Sequence, residues 1–263
     1  MQSIPFEWIQ VLVPPSWRNN MPYNLCVFDI DGVLNPAGEP VQPESIAALN
    51  ILESHGLKIS FASGKHPWYI TGGLIFSGLL REDTIIVGES GGHVFFPHQK
   101  RSLLYTEYLS DIKTLRNLFL KSELIKACWE EPKETLFSLF PRNRSDVKRV
   151  AALMNELIAD HDLHLYVITH VDAVDALQKG LSKKRGLSIL SEVLDMSPHE
   201  MIAFGDGMND VEMLSTVGFP VAVANAEPPI KALVKKRKGY IASKKYGRGV
   251  LEAVTYITEH LLD

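Results

Sequence analysis

Asp29 and Asp31 stand two residues apart in F-D-I-D-G, at the end of an apolar run over residues 24–30. In a strand the period of two turns both carboxylates to the same side. Like charges that close call for a cation between them or a proton on one. The plain reading of the same residues is a D-G turn with solvated carboxylates. A calcium loop starting at Asp29 is excluded, because it needs Gly at its sixth position and Glu at its twelfth, where the chain has Leu34 and Pro40.

A second acidic pair, Asp206 and Asp210, lies in G-D-G-M-N-D, after another apolar run at 201–204. A helix opening at Asn209 puts Asp210 in its first turn, where negative charge is favoured. Taken alone, this segment also reads as a turn followed by a helix cap. Ser63 and Gly64, in F-A-S-G-K after the apolar run 57–62, offer a hydroxyl and backbone N–H groups that could hold phosphate oxygens. They read equally as a connector between strand and helix. Lys183 opens a helix ahead of the second acidic pair, where an ammonium can offset phosphate and carboxylate charge; an isolated lysine is more often a solvated surface group.

These residues need a frame. Apolar runs at 24–30, 57–62 and 84–87 alternate with helical spacing over 43–55 and 67–80, which implies a parallel sheet. After residue 88 short strand-like pieces at 93–96, 127–129 and 135–140 accompany two helices, as in an antiparallel sheet covered on one face. The first rhythm resumes with a helix over 183–194, the run 201–204, a helix from 209, the run 219–224 and a last helix from 249. An insertion at 89–179 therefore interrupts a core made of 21–88 and 180–263, behind an N-terminal extension at 1–20. Asp29, Asp31, Ser63, Lys183 and Asp206 all fall near strand ends or βα turns of one open sheet, where such folds bind ligands.

Composition narrows the partners. A net charge of −4 and an isoelectric point near 6.1 provide no field for nucleic acid or anionic lipid, which points to a small substrate. The run Lys235, Lys236, Arg237, Lys238 lacks interleaved aromatics and reads as a solvated helix end. Cys26 and Cys128 form no C-x-x-C pair and read as buried free thiols of a reducing compartment. Residues 1–24 lack an export-type apolar run, and no segment reaches the roughly 20 apolar residues of a membrane span, so a cytoplasmic location is expected. Nothing here bears on oligomeric state.

With F-D-I-D-G-V-L at 28–34, S-G-K at 63–65 and G-D-G-M-N-D at 205–210, the chain resembles the haloacid dehalogenase superfamily, in particular its Cof-like phosphatases and archaeal-type phosphoglycolate phosphatases. The resemblance implies an α/β fold: a Rossmann-like, doubly wound parallel sheet with an inserted small α+β domain, the C2-type cap. It makes Asp29 the nucleophile and Asp31 the general acid and then base. Ser63, Gly64, Lys183 and Asn209 become phosphate-binding, with Lys184 as an alternative register for Lys183. Mg2+ would be held by Asp29, the Asp31 position through its backbone carbonyl, Asp206 and Asp210. S-G-K departs from the commoner T-G-R, keeping a hydroxyl and a cation but losing arginine's planar fork at Lys65. G-E-S-G-G-H at 88–93 falls where the family's cap begins; its glycines suit a hinge, and Glu89 reads as part of it or as a plain surface residue. The implied function is Mg2+-dependent hydrolysis of a small phosphomonoester, phosphoglycolate or a sugar phosphate, through an aspartyl-phosphate. A phosphomutase of the phosphomannomutase type, whose fourth motif is longer, and a non-catalytic phosphate-ligand sensor are the alternatives. Isomer exchange would distinguish the first and binding without turnover the second.

Overall fold

The computed structural model describes residues 22–262. The N-terminal extension at 1–20 lies outside them. The chain divides into two compact units, one running to Ser102 and resuming at Ser182, the other formed by Leu103–Leu181.

In the first unit, β1 (Leu25–Phe28) is fully buried and central, as its unbroken apolar sequence requires. It pairs in parallel with β2 (Lys58–Ala62) on one side and with β10 (Met201–Gly205) on the other, with Phe28 level with Phe61 and Phe204. Outside these lie β3 (Ile85–Gly88), β4 (His93–Phe96) and β5 (Arg101–Leu104) at one edge, and β11 (Phe219–Ala222) and β12 (Tyr240–Ile241) at the other. The order is β12-β11-β10-β1-β2-β3-β4-β5, parallel from β12 through β3, with β4 antiparallel to β3. The chain winds outward from β1 to β3 and returns on the far side at β10, so the winding reverses between β1 and β10. In open α/β sheets the crevice at that switch point is the ligand site, and Asp29 and Asp206 are the residues that leave these two strands.

Helix α1 (Pro43–Ser54) follows β1, and α2 (Pro67–Phe76) follows β2. On one face of the sheet, Ala48, Leu49 and Leu52 of α1 share a core with Val250, Ala253 and Ile257 of the terminal helix (Tyr246–His260) and with Phe28, Phe61 and Phe204. The Ser45 hydroxyl donates to the Leu34 carbonyl at 2.6 Å and so ties α1 to the loop after Asp31. A further helix, Lys183–Val193, buries Leu187, Leu190 and Val193 and carries Lys183 as its first residue.

The second unit holds an antiparallel sheet in the order β6 (Cys128–Glu131), β7 (Leu136–Pro141), β9 (Val174–Gln178), β8 (Leu165–Thr169). Phe137, Leu139, Leu165, Val174 and Ala176 pack against Ile112, Leu115 and Phe119 of one helix and Val147, Val150 and Met154 of a second. This separate α+β unit fits a cap domain. It begins at Leu103, whereas the sequence places the insertion at 89: residues 93–104 extend the edge of the first sheet as β4 and β5, with β4 folding back on β3 as an antiparallel hairpin, so the antiparallel texture starts before the chain leaves the first unit. Cys26 is buried as expected, but Cys128, at a strand end, is only half-buried. Lys235, Lys236 and Lys238 are exposed at a helix end, as their sequence suggests. Among the described residues no helix is long and apolar enough to cross a membrane.

Candidate active site

Asp29 is the first residue past β1, and its backbone N–H still donates to the Phe204 carbonyl of β10 at 3.0 Å, which fixes its place in the crevice. Asp29 is 5% exposed. Lys183 Nζ lies 2.9 Å from Asp29 Oδ1 and 2.6 Å from Asp210 Oδ1, and both Lys183 and Asp210 are buried. A buried ammonium between two carboxylates is a charge-assisted contact of the strong kind. Lys183, not Lys184, therefore faces the acidic residues.

Asp210 closes the loop after β10. Its Oδ2 accepts from the backbone N–H groups of Asp206 at 2.9 Å and Gly207 at 3.1 Å. The expected helix from Asn209 is first a 3₁₀ turn, Met208–Asp210, and then a short helix, Val211–Thr216, because Asp210 spends its acceptor capacity on this loop. Asn209 itself is exposed, and its Oδ1 stands over the Gly207 backbone, 2.8 Å from where a Cβ would be. Gly32 has φ +87°, and a Cβ there would fall 2.1 Å from Asp206 Oδ2. The glycine after Asp31 is thus required both by the turn and by the close approach of Asp206.

Asp29, Asp206 and Asp210 form a group whose ligand atoms lie within 4.8 Å of one another and could hold a metal ion. Three carboxylates around one ammonium leave excess negative charge. Burial and then the Asp210 charge push the Asp29 carboxyl up to about 8, against the pull of Lys183. Burial and Asp210 likewise push Asp206 up to about 7, with Glu227 and Asp31 adding to it. For Lys183 burial works downward, but Asp210 and Asp29 more than reverse it and raise it. A site of oxygen donors that is short of positive charge fits a hard divalent cation.

The Asp31 carboxylate is outside this group. It pairs with Lys65 Nζ at 2.9 Å, both side chains being part-exposed, and that ammonium also sits 5.0 Å from the centre of the Tyr69 ring. Ser63 is buried at the end of β2; its Oγ accepts from Lys65 N at 3.2 Å and its carbonyl from Ser90 N at 3.0 Å. Gly64 lies in the same turn, and a Cβ there would meet Ser90 Oγ at 3.5 Å.

A family model described as haloacid dehalogenase-like hydrolase matches residues 86–254. The chain belongs to that family. As a haloacid dehalogenase-like hydrolase it is 28% identical, over 234 residues, to phosphoglycolate phosphatase 1 of Saccharolobus solfataricus, covering 88% of this chain and 93% of that protein. It is also 28% identical to HMP-PP phosphatase of Serratia proteamaculans, over 244 residues, or 81% and 88% of the two chains. Among solved structures, a haloacid dehalogenase-like hydrolase from Bacteroides thetaiotaomicron superposes with TM-score 0.70 at 20% identity, covering 89% and 99%. The sucrose-phosphatase of Synechocystis does so with TM-score 0.64 at 18% identity, covering 89% and 98%. At such identities the superpositions speak for the fold.

Two residues of this site escape the sequence reading. Asn225 Nδ2 donates to the Gly32 carbonyl at 2.7 Å and lies 3.5 Å from Asp206 Oδ2, while its Oδ1 accepts from Tyr246 N at 3.0 Å. Glu227 accepts from Met208 N at 3.1 Å, and its own N–H donates to the Asp206 carbonyl at 2.8 Å. Both follow the run 219–224 and occupy a strand-end position like those of Asp29 and Asp206, which was the available signal. Glu89, read as a hinge or surface residue, is fully buried.

Proposed function

We propose that this hydrolase removes phosphate from a small phosphomonoester, with Asp29 as nucleophile and Mg2+ as the cation. The observation that carries the reading is the buried Lys183 bridging Asp29 and Asp210 beside Asp206, with Asp31 two residues beyond Asp29 on a part-exposed carboxylate.

Lys183 holds the Asp29 carboxylate by one oxygen, leaving the other to attack phosphorus in line. As the bond to Asp29 forms and the ester bond breaks, the leaving oxygen takes a proton from Asp31. Water then attacks phosphorus of the acyl phosphate and gives its proton to Asp31, releasing inorganic phosphate and restoring Asp29. Ser63, the Gly64 backbone and Asn209 bind phosphate oxygens in this reading. Asp29, the Asp31 carbonyl, Asp206 and Asp210 would hold Mg2+, which supplies charge neutralisation for carboxylates and phosphate together. Asn225 and Glu227 orient Asp206 and its loop.

The substrate class is a phosphorylated small acid or sugar, with phosphoglycolate first because a relative of similar length carries that name. Phosphate release from phosphoglycolate, sugar phosphates, nucleotides and p-nitrophenyl phosphate tests it, with Mg2+ or EDTA. Activity is expected with Mg2+ only, to vanish in Asp29→Asn, and to fall by about 10²–10⁴ in Asp31→Asn. Activity that survives Asp29→Asn would remove the nucleophile assignment.

A further inference from the structure

Apart from the acidic site, three side chains converge that the hydrolysis does not use. They are His66, just before α2; Glu89, in a 3₁₀ turn after β3; and His93, the first residue of β4. One ligand atom of each lies within 4.8 Å of the others. Glu89 Oε1 is 3.6 Å from His66 Nε2 and 3.7 Å from His93 Nδ1. These separations exceed the roughly 2.7–3.2 Å of a hydrogen bond. They are close to the roughly 3.3–3.6 Å edge of a tetrahedron whose metal–ligand bonds are about 2.0–2.2 Å.

Glu89 is fully buried and His93 is 3% exposed. His93 Nδ1 has no hydrogen-bond partner, whereas its Nε2 lies 2.8 Å from Ser102 Oγ. With Nε2–H donating to that hydroxyl, Nδ1 presents a bare lone pair toward Glu89, the tautomer of a metal ligand with an outer partner. Glu89 and Ser90 hold φ of +50° and +56°, in the left-handed region that is uncommon for non-glycine residues.

We propose that His66 Nε2, Glu89 and His93 Nδ1 form a second metal site, for a first-row divalent transition ion such as Zn2+. Two imidazoles and a carboxylate suit such an ion, whereas the all-oxygen acidic group suits Mg2+. The ion binds the buried Glu89 and gives His93 Nδ1, which has no hydrogen-bond partner, a ligand role. Binding at His66 Nε2 puts that ring's proton on Nδ1, so the weak contact from Trp68 N–H at 3.2 Å is exchanged for the metal bond. Glu89 N donates to the Lys65 carbonyl and Ser90 N to the Ser63 carbonyl, both at 3.0 Å. A metal here therefore braces the loop that carries Ser63 and Lys65.

The test is calorimetric titration of chelator-stripped protein with Zn2+ in saturating Mg2+, which occupies the acidic group. One Zn2+ per chain is expected to bind the wild type and Asp206→Asn alike. Ser102→Ala, which removes the outer partner, should weaken binding about 10–100-fold, and His93→Gln and Glu89→Gln should weaken it further. His66→Gln, at a part-exposed position and therefore least tied to folding, carries the same expectation. Co2+ in place of Zn2+ should give visible bands of a nitrogen-ligated, low-coordinate ion that disappear with either histidine. Absence of binding to the wild type, undiminished binding in His66→Gln and His93→Gln, or its loss in Asp206→Asn, overturns the proposal.

Discussion

Stripped of divalent metal, the protein should lose stability as pH rises from about 5.5 to 7.5, and Asp29 should account for a defined share of the loss. Its carboxyl is pushed from 3.8 to about 8 by burial and by Asp210. In that window the folded chain keeps a proton that the unfolded chain has released, so stability falls with pH at about 1.4 kcal/mol per unit. A raised carboxyl contributes its stability fully below the unfolded value and loses it on the way to the folded one, which gives the same sign. Over two units the loss is about 2–3 kcal/mol, or roughly 5–10 °C in Tm for a chain of this size. Thermal melting in EDTA at both pH values, for wild type and Asp29→Asn, isolates the effect, since histidines and other titrating groups are common to both. The stability advantage of Asp29→Asn should grow by about 2–3 kcal/mol between the two pH values. Mg2+ should shrink it, because the cation takes the place of the proton. A difference between the two proteins that is independent of pH, or that changes in the opposite direction, refutes the account of three carboxylates sharing too little positive charge.

Lys183→Met should destabilise the metal-free protein by about 3–5 kcal/mol at pH 7.5, because it leaves the buried Asp210 carboxylate without the ammonium that lies 2.6 Å from it. Denaturant unfolding of the wild type and Lys183→Met in EDTA at pH 7.5 measures it. Gly32→Ala combines a strained φ with a Cβ 2.1 Å from Asp206 Oδ2. It should cost roughly 1–3 kcal/mol and weaken Mg2+ binding as Asp206 is displaced. Calorimetry showing unchanged Mg2+ affinity would argue against that close packing.

Much of the site was legible because its parts are local. An apolar strand that ends in D-I-D-G carries much of its own instruction: hydrophobic residues bury the strand, its end places Asp29, and glycine makes the turn; the period of two does not carry on to Asp31, because β1 ends at Phe28 and the Asp31 carboxylate turns to Lys65 instead. G-D-G-M-N-D works in the same manner, and the βα rhythm around the two segments implied one parallel sheet with both acidic ends at its crevice. The chain's extent of helix was less legible where a side chain chose the backbone over the helix. Asp210 accepts from Asp206 N and Gly207 N, so a 3₁₀ turn stands where helical spacing alone expects an α-helix.

What only the tertiary structure decided are the partnerships across the sequence. Spacing favours Lys183 with Lys184 as an alternative register; the rotation of their helix against the sheet puts Lys183 against Asp29 and Asp210. Asn225 and Glu227 have no motif of their own and matter because β11 delivers them beside Asp206. Glu89 looks like a surface glutamate in sequence, yet the pairing of β4 with β3 buries it between His66 and His93. Periodicity reports whether a residue is inside and on which element it lies. It does not report which distant charge meets it there, because that depends on strand order and helix rotation set by the whole core.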